Sequence, residues 1–448
     1  MTDGNKEGLA ERANPRETLS VMDAVAIIVG VVIGVGIFKT PALVAASASG
    51  GWMLFFLWLA GGAISLAGAL CYAELSSTYP HAGGDYRYLG KALGRAPAFL
   101  LAWARITVIQ TGSIAMIAFL IGDYASELLP LGRHSASYYA AAAIVGLTAV
   151  NAAGIEQGRL TQRVLLASIL LGLLFITILG LATDSAASDL NHPATEQQAL
   201  GRAMIFVLLT YGGWNEAAYL SGEVRHARRN MARVLLYSIG VITCIYILIN
   251  LAFVKGLGLP GMAGSEAVAA DLMRRIVGEN GARFISLLVF LVALSTMNGM
   301  IITGARTGFA LGRDVAAFRF LGSWQKGRNT PVNAMLFQGA LAIVLVLAGT
   351  RARSGFVLMV EYTAPVFWLF LLLVTCSIFI LRWKNPQVHR PFSVPLYPLT
   401  PLFFCGVCIY MLHSSLVHTG KGALVGLGVL LAGIFVWLLP GSRKKMAG

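Results

Sequence analysis

The sequence predicts an all-α integral membrane protein of twelve transmembrane helices. Hydrophobic residues make up 57% of the 448, charged residues only 12%, and the mean hydropathy is +0.73. A water-facing surface needs about 25% charged residues, so half that share leaves lipid as the solvent for most of this chain. The apolar residues also fall into twelve runs, each near the roughly 20 residues that cross a bilayer as helix. Fifty glycines suit such helices, which use small residues to approach one another closely.

Charged stretches bound the runs in order. The first, 20–46, follows Lys6, Arg12 and Arg16; it is too long for a cleavable signal and lacks a small-residue cleavage site. Arg87, Lys91 and Arg95 part the second (52–79) from the third (96–127), and Arg133 parts the third from the fourth (137–153). Arg159 and Arg163 precede the fifth (162–182), and Arg202 opens the sixth (200–222). Arg225, Arg228, Arg229 and Arg233 separate it from the seventh (232–257). The stretch Gly256–Asn280, with an amphipathic piece around 265–275, leads to the eighth (281–312). Arg313, Arg319, Lys326 and Arg328 precede the ninth (331–350), and Arg351 and Arg353 the tenth (355–381). Arg382, Lys384 and Arg390 come before the eleventh (397–415), and Lys421 before the twelfth (422–440). With an inside N-terminus, 23 Lys and Arg lie on the inner side against nine outside, which predicts both termini in the cytoplasm.

The same bias accounts for the net charge of +14. No compact basic domain lies outside the apolar runs, so nucleic acid is excluded as a partner. Cys71, Cys244, Cys376, Cys405 and Cys408 read as small core residues, without metal-ligand spacing, and no metal or cofactor is expected. The seven histidines are scattered over loops and ends with no paired-carboxylate or HxxxxD constellation, which argues against an enzyme. No pore-loop filter marks a channel.

Two runs are interrupted. The first contains Ile33-Gly34-Val35-Gly36-Ile37-Phe38-Lys39-Thr40-Pro41, the sixth Thr210-Tyr211-Gly212-Gly213-Trp214-Asn215-Glu216. A glycine costs a helix interior about 1 kcal/mol relative to alanine. Taken singly, either stretch also suits close helix packing. As a pair they hold equivalent places if helices 1–5 and 6–10 are inverted repeats, and paired interruptions point to a transporter's binding site. A broken helix bares N–H groups on one half and C=O groups on the other. Irregular backbone at this depth persists only beside a cavity or within protein. Bare N–H groups attract an anion and bare C=O groups a cation, so the expected ligand is a small zwitterion with a carboxylate and an ammonium.

At these residues the chain resembles the amino acid–polyamine–organocation superfamily of transporters, most of all its L-type amino acid transporters and bacterial amino acid permeases. Gly34-Val35-Gly36-Ile37-Phe38 is similar to the family's break in helix 1. Cys71-Tyr72-Ala73-Glu74-Leu75, continuing through Pro80 to Gly83-Gly84-Asp85-Tyr86, looks like its helix 2 end and first inner loop. Tyr211-Gly212-Gly213-Trp214-Asn215, then Glu223 and the basic run to Arg233, completes the match.

The resemblance implies a leucine-transporter fold. Five-helix inverted repeats would cover 18–182 and 200–381, with two extra helices over 397–440, between a disordered 1–17 and a basic tail 441–448. It implies transport of amino acids by alternating access in a plasma (inner) membrane, as exchanger or symporter. Gly212-Gly213 leaves room for a sizeable neutral side chain, while Glu216 keeps a cationic amino acid or polyamine open. A non-transporting receptor of the same fold is a further alternative. Carried over residue by residue, amides at Gly34, Val35 and Gly36, beside Ile33, would hold the substrate carboxylate. Carbonyls at Val32, Leu209, Thr210 and Gly212, beside Tyr211, would hold its ammonium, with Gln110, Asn215 and Val289 toward its side chain.

Three features depart from the family. Leu209 stands where an aromatic gate is common. Gly172 stands where related permeases carry a helix 5 lysine in place of a sodium ion. The stretch Asp123–Tyr138 lacks the cysteine by which animal L-type transporters bond a heavy chain, so a monomer or homodimer with no disulfide-linked partner is expected.

Ionisable residues inside a membrane cost at least ~2.5–3.5 kcal/mol at the bilayer centre and are functional candidates. Lys39 either pairs with a carboxylate or snorkels to the outer interface. For Glu216 a proton site, an inner-gate partner, a cation acceptor and simple exposure to an inward vestibule all stay open. Arg105 is expected to reach the inner headgroups, and Glu74 and Asp85 to cap or pair with arginines. Ser295 and Thr296 either offer hydroxyls to a sodium ion or bond back to the preceding turn.

Overall fold

The computed structural model describes residues 17–129, 131–132, 134–183, 199–265, 267–350, 355–418 and 421–438. The expectations for the N-terminal 1–17, apart from Glu17, and for the tail 441–448 lie outside these residues. Helices dominate, and the only β pairings among the described residues are two isolated bridges.

Nine of the described helices are long and apolar enough to cross a membrane, and Val21–Val32 with Gly36–Ser47 makes a tenth span bent by 52°. The two remaining expected crossings have shorter helices. The sixth is Ala199–Tyr211 followed by a 3-10 turn at Trp214–Glu216 and a last turn at Ala217–Leu220. The twelfth is Lys421–Leu438. The order matches the expected runs, and the largest shift is at the fifth span, Ile155–Ala182. Its first turns carry Glu156, Gln157, Arg159 and Gln162, which hydropathy discounts but a helix accommodates. The amphipathic piece near 265–275 forms the helix Val268–Val277, burying Val268, Ala269, Leu272 and Met273.

The first span packs against the fifth, seventh and eighth, and its second half lies along the first half of the sixth. The third span packs on the eighth and tenth, and the eleventh and twelfth lean on the tenth. Both interrupted spans are thereby held in the centre of the helix array. The N-cap of Ser20 on the first span is reciprocal, with Asp23 accepting from the Ser20 backbone N–H at 3.1 Å. Cys71, Cys405 and Cys408 are buried as expected, but Cys244 is exposed on the seventh span and Cys376 is half-buried. Lipid is as apolar as a core, so a small apolar residue gains nothing by facing inward.

Candidate functional site

The first break is real unwinding. Ile33 N–H still reaches Val29 O at 2.8 Å, Gly34 N–H turns back to Val32 O at 2.6 Å, and helix resumes only at Gly36. Among the described residues no backbone carbonyl accepts from the amides of Val35 or Gly36. In the sixth span Gly212 N–H reaches Leu209 O at 3.2 Å, and Gly213 adopts φ 111° before the 3-10 turn. The breaks touch. A Cβ added at Gly213 would sit 3.0 Å from Val31 Cγ1, and one at Gly36 3.0 Å from Thr210 Oγ1. The hydroxyls of Thr40 and Thr210 are 2.9 Å apart.

The carbonyls are less bare than expected. The Tyr246 hydroxyl, on the seventh span, lies 3.0 Å from Val32 O and 2.9 Å from Thr210 O, and its single hydrogen serves one of them at a time. Leu209 O already accepts from Gly212. Tyr246 escaped sequence reasoning, where its one signal was a tyrosine deep in an apolar run, whose hydroxyl must find a partner. Replacing Tyr246 by phenylalanine removes the donor shared by the two breaks. Leaving a buried acceptor unpaired costs about 1–3 kcal/mol, so initial uptake by reconstituted Y246F is expected to fall by about tenfold or more. Wild-type rates in that variant would show the tie to be dispensable.

A cavity of about 200 Å³ adjoins the sixth-span break. Of the expected site residues, Gln110, Leu209, Gly212, Asn215 and Glu216 line it, and the first span contributes Val31. Ile33 to Gly36 lie outside its lining, half-buried apart from Ile33, and Lys39 is exposed. Tyr211 is buried instead against Trp58 and Tyr246, with its hydroxyl donating to Trp58 O at 3.1 Å. Val289 is in the apolar core, 1% exposed. The eighth span reaches the cavity with Met300, whose position is about three helical turns further along. Sequence reasoning missed the far wall, formed by Trp214, Phe367, Trp368 and Phe404 with Ser65 and Thr363. The tenth span is apolar all round, so no periodicity marks its cavity face.

Charged side chains gather at the Lys- and Arg-rich end, beyond the breaks. Arg105 does not reach headgroups. A π-helical turn at Arg105–Ile109 carries it inward, where it is 2% exposed and 2.6 Å from Glu216. Its Nε donates to Thr307 at 3.0 Å, and its guanidinium lies 3.6 Å from the centre of the Tyr219 ring. Glu216 is therefore a buried ion-pair partner rather than a water-exposed acid. Arg306 and Glu223 form a second, wholly buried pair, and Asp23 pairs with Arg159 and Arg163. Glu74 pairs with Arg382 and Arg390, as expected. Asp85 instead accepts from the Tyr72 hydroxyl at 3.1 Å and makes no ion pair among the described residues. These pairs join the first and sixth spans to the third, fifth and eighth, closing this end.

The space between the first, fifth and eighth spans is filled by an amide, not by Gly172, which packs on Leu288. Asn151 Nδ2 donates to Asn298 Oδ1 at 2.7 Å, Asn298 Nδ2 to Gln162 Oε1 at 2.8 Å, and Gln162 Nε2 to Ser295 Oγ at 2.9 Å. Ser295 and Thr296 then point at Gly30 O, at 3.4 and 3.3 Å, so neither hydroxyl bonds back to its own helix. A Cβ at Gly30 would stand 2.0 Å from Gln162 Nε2, so only glycine lets the first span approach this chain of donors.

A family model described as "Amino acid permease" matches residues 19–439. Large neutral amino acids transporter small subunit 2 of Mus musculus is 30% identical over 441 residues, covering 95% of this chain and 81% of its own. The b(0,+)-type amino acid transporter 1 of Mus musculus is 27% identical over 412 residues, covering 90% and 83%. The serine/threonine exchanger SteT of Bacillus subtilis (strain 168) is 26% identical over 444 residues, covering 96% and 98%.

Proposed function

The chain belongs to the amino acid permease family, and from that premise we propose that it carries neutral L-amino acids by alternating access, as an exchanger or a symporter independent of sodium. The family is one of multi-pass membrane transporters, not enzymes. The observation that carries the reading is the pair of unpaired amides at Val35 and Gly36 in an unwound first span, against a broken sixth span. Such amides offer a carboxylate what water would otherwise supply.

The cavity supports a neutral side chain. Its walls are largely apolar and aromatic, and its one acidic residue, Glu216, is already paired with Arg105. Two of the matched relatives are named for large neutral amino acids and for serine and threonine. Gln162 supports the sodium-independent reading. Its amide donor faces Ser295, and a cation there would meet hydrogens rather than lone pairs. We take 18–182 and 200–381 as the two inverted repeats, since the breaks then fall at equivalent places, and the basic end as cytoplasmic in a plasma (inner) membrane. One matched relative is named a small subunit. This chain has no cysteine in Asp123–Tyr138, and we propose a monomer or homodimer without a disulfide-linked heavy chain.

A thermal-shift panel of the twenty amino acids and of polyamines on purified protein, with counterflow in liposomes, tests the proposal. Neutral amino acids are expected to raise the unfolding temperature, because they bind only the folded state, and to exchange at equal rates in sodium and choline. Shifts by polyamines alone would move the substrate class. Binding without counterflow would make the chain a receptor, and loss of exchange in choline would restore a sodium site.

A further inference from the structure

Asp85 opens the helix Asp85–Ala92, between the second and third spans, and is 5% exposed. Its Oδ2 accepts from Tyr72, but among the described residues its Oδ1 has no hydrogen-bond partner in good geometry, and neither do the buried hydroxyls of Tyr88 and Tyr219. Tyr219 stands beside the carboxyl, interacting with it outside good hydrogen-bond geometry. The groups facing Asp85 are Tyr72 on the second span, Tyr88 on its own helix, Arg105 on the third span, and Glu216 and Tyr219 on the sixth.

The other buried carboxylates among the described residues each have an arginine: Asp23 has Arg159 and Arg163, Glu74 has Arg382 and Arg390, and Glu223 has Arg306. At Asp85 one guanidinium faces two carboxylates, and it is bonded to Glu216. With both acids ionised, this buried cluster carries one uncompensated negative charge. Such a charge is costly to bury and is removed most cheaply by a proton.

We propose that Asp85 is a proton-binding site that latches the basic end of the transporter shut. The carboxyl is held neutral while the sixth span packs over it, and gives up its proton when that end opens to water. This rests on the alternating-access reading. Burial lifts Asp85 from its ordinary 3.8 to about 7, with Arg105 opposing the rise. The closed form thus binds the proton more tightly than the open one. Its advantage is complete below the ordinary carboxylate value, falls about tenfold per pH unit as pH rises, and is gone above about 7.

Hydrogen–deuterium exchange of the full chain in micelles, corrected for intrinsic rates, reads the latch in peptides covering 79–92 and 216–224. Wild-type protection is expected to fall about fiftyfold from pH 5 to pH 7, then by no more than about twofold to pH 8. Asp85→Asn, permanently neutral, should stay protected across the range. Glu216→Gln frees Arg105 for an ionised Asp85 and should flatten the profile by the opposite route. A flat wild-type profile, or an Asp85→Asn or Glu216→Gln profile parallel to wild type, overturns the proposal; the wild-type and Glu216→Gln arms decide it if Asp85→Asn does not fold. Amino acid counterflow by the same preparation reads the transport function separately, so a failed latch and a failed transport reading give different results.

Discussion

Replacing Arg306 by methionine is expected to lower stability by about 3–5 kcal/mol, the usual cost of orphaning one member of a buried ion pair. Arg306 and Glu223 are both fully buried. The guanidinium meets the carboxylate with two nitrogens, Nη2 donating to Oε2 at 2.9 Å, and Nη1 donates to Ile302 O. Without it, Glu223 keeps a charge that no water can reach. The damage would spread, because Glu223 O accepts from Leu19 N–H at 2.9 Å and so ties the start of the first span to the end of the sixth. The double variant R306M/E223M buries no charge at all and should recover much of the loss, since apolar replacement of a whole buried pair is often neutral. Thermal unfolding in detergent, with the yield of folded protein, checks both. If the single variant melts with wild type, the pair is not what holds this end closed.

Gly213→Val is expected to reduce uptake at least a hundredfold. At φ 111° a β-branched residue is a genuine outlier, and such strain costs about 1–3 kcal/mol. The Cβ alone would lie 3.0 Å from Val31 Cγ1, and the two further methyl groups of valine have to be placed beyond it. A hundredfold effect needs about 2.7 kcal/mol, which strain and crowding together supply. The sixth span has two ways out, to re-route its break or to push the first span away, and either displaces the amides and carbonyls from their facing positions. Gly240→Ala on the seventh span is the control, since a Cβ there meets nothing within 4 Å. Initial uptake into liposomes, read beside the unfolding temperature of the unliganded protein, separates lost transport from lost fold. Wild-type uptake by Gly213→Val would mean that the left-handed turn is not needed for the site.

Much of this architecture was legible before any coordinates. The twelve apolar runs and both interruptions appear where expected because they rest on local physics: lipid demands long apolar helices, and glycines at mid-depth weaken the ladder in place. Gln110, Leu209, Gly212 and Asn215, which the family resemblance named, also line the cavity, each lying on or beside an interruption or on the helix facing it. The ion pairs were not legible in this way. Arg105 and Glu216 are 111 positions apart in the chain, Arg306 and Glu223 83 apart, and nothing local to either sequence stretch marks its partner. Gln162 was overlooked because it lies in the polar first turns of a helix, ten residues before the glycine taken for its place.

Composition, hydropathy and glycine act over one or two helical turns, so they marked the membrane helices, their order along the chain and the places where the main chain unwinds. Which carbonyls Tyr246 ties down, which arginine meets which acid, and that Asp85 has none among the described residues emerge from the packing of the helices. Those are questions of distance between separate helices, and in a medium that hydrates nothing, a few ångströms decide whether a polar group is satisfied or available.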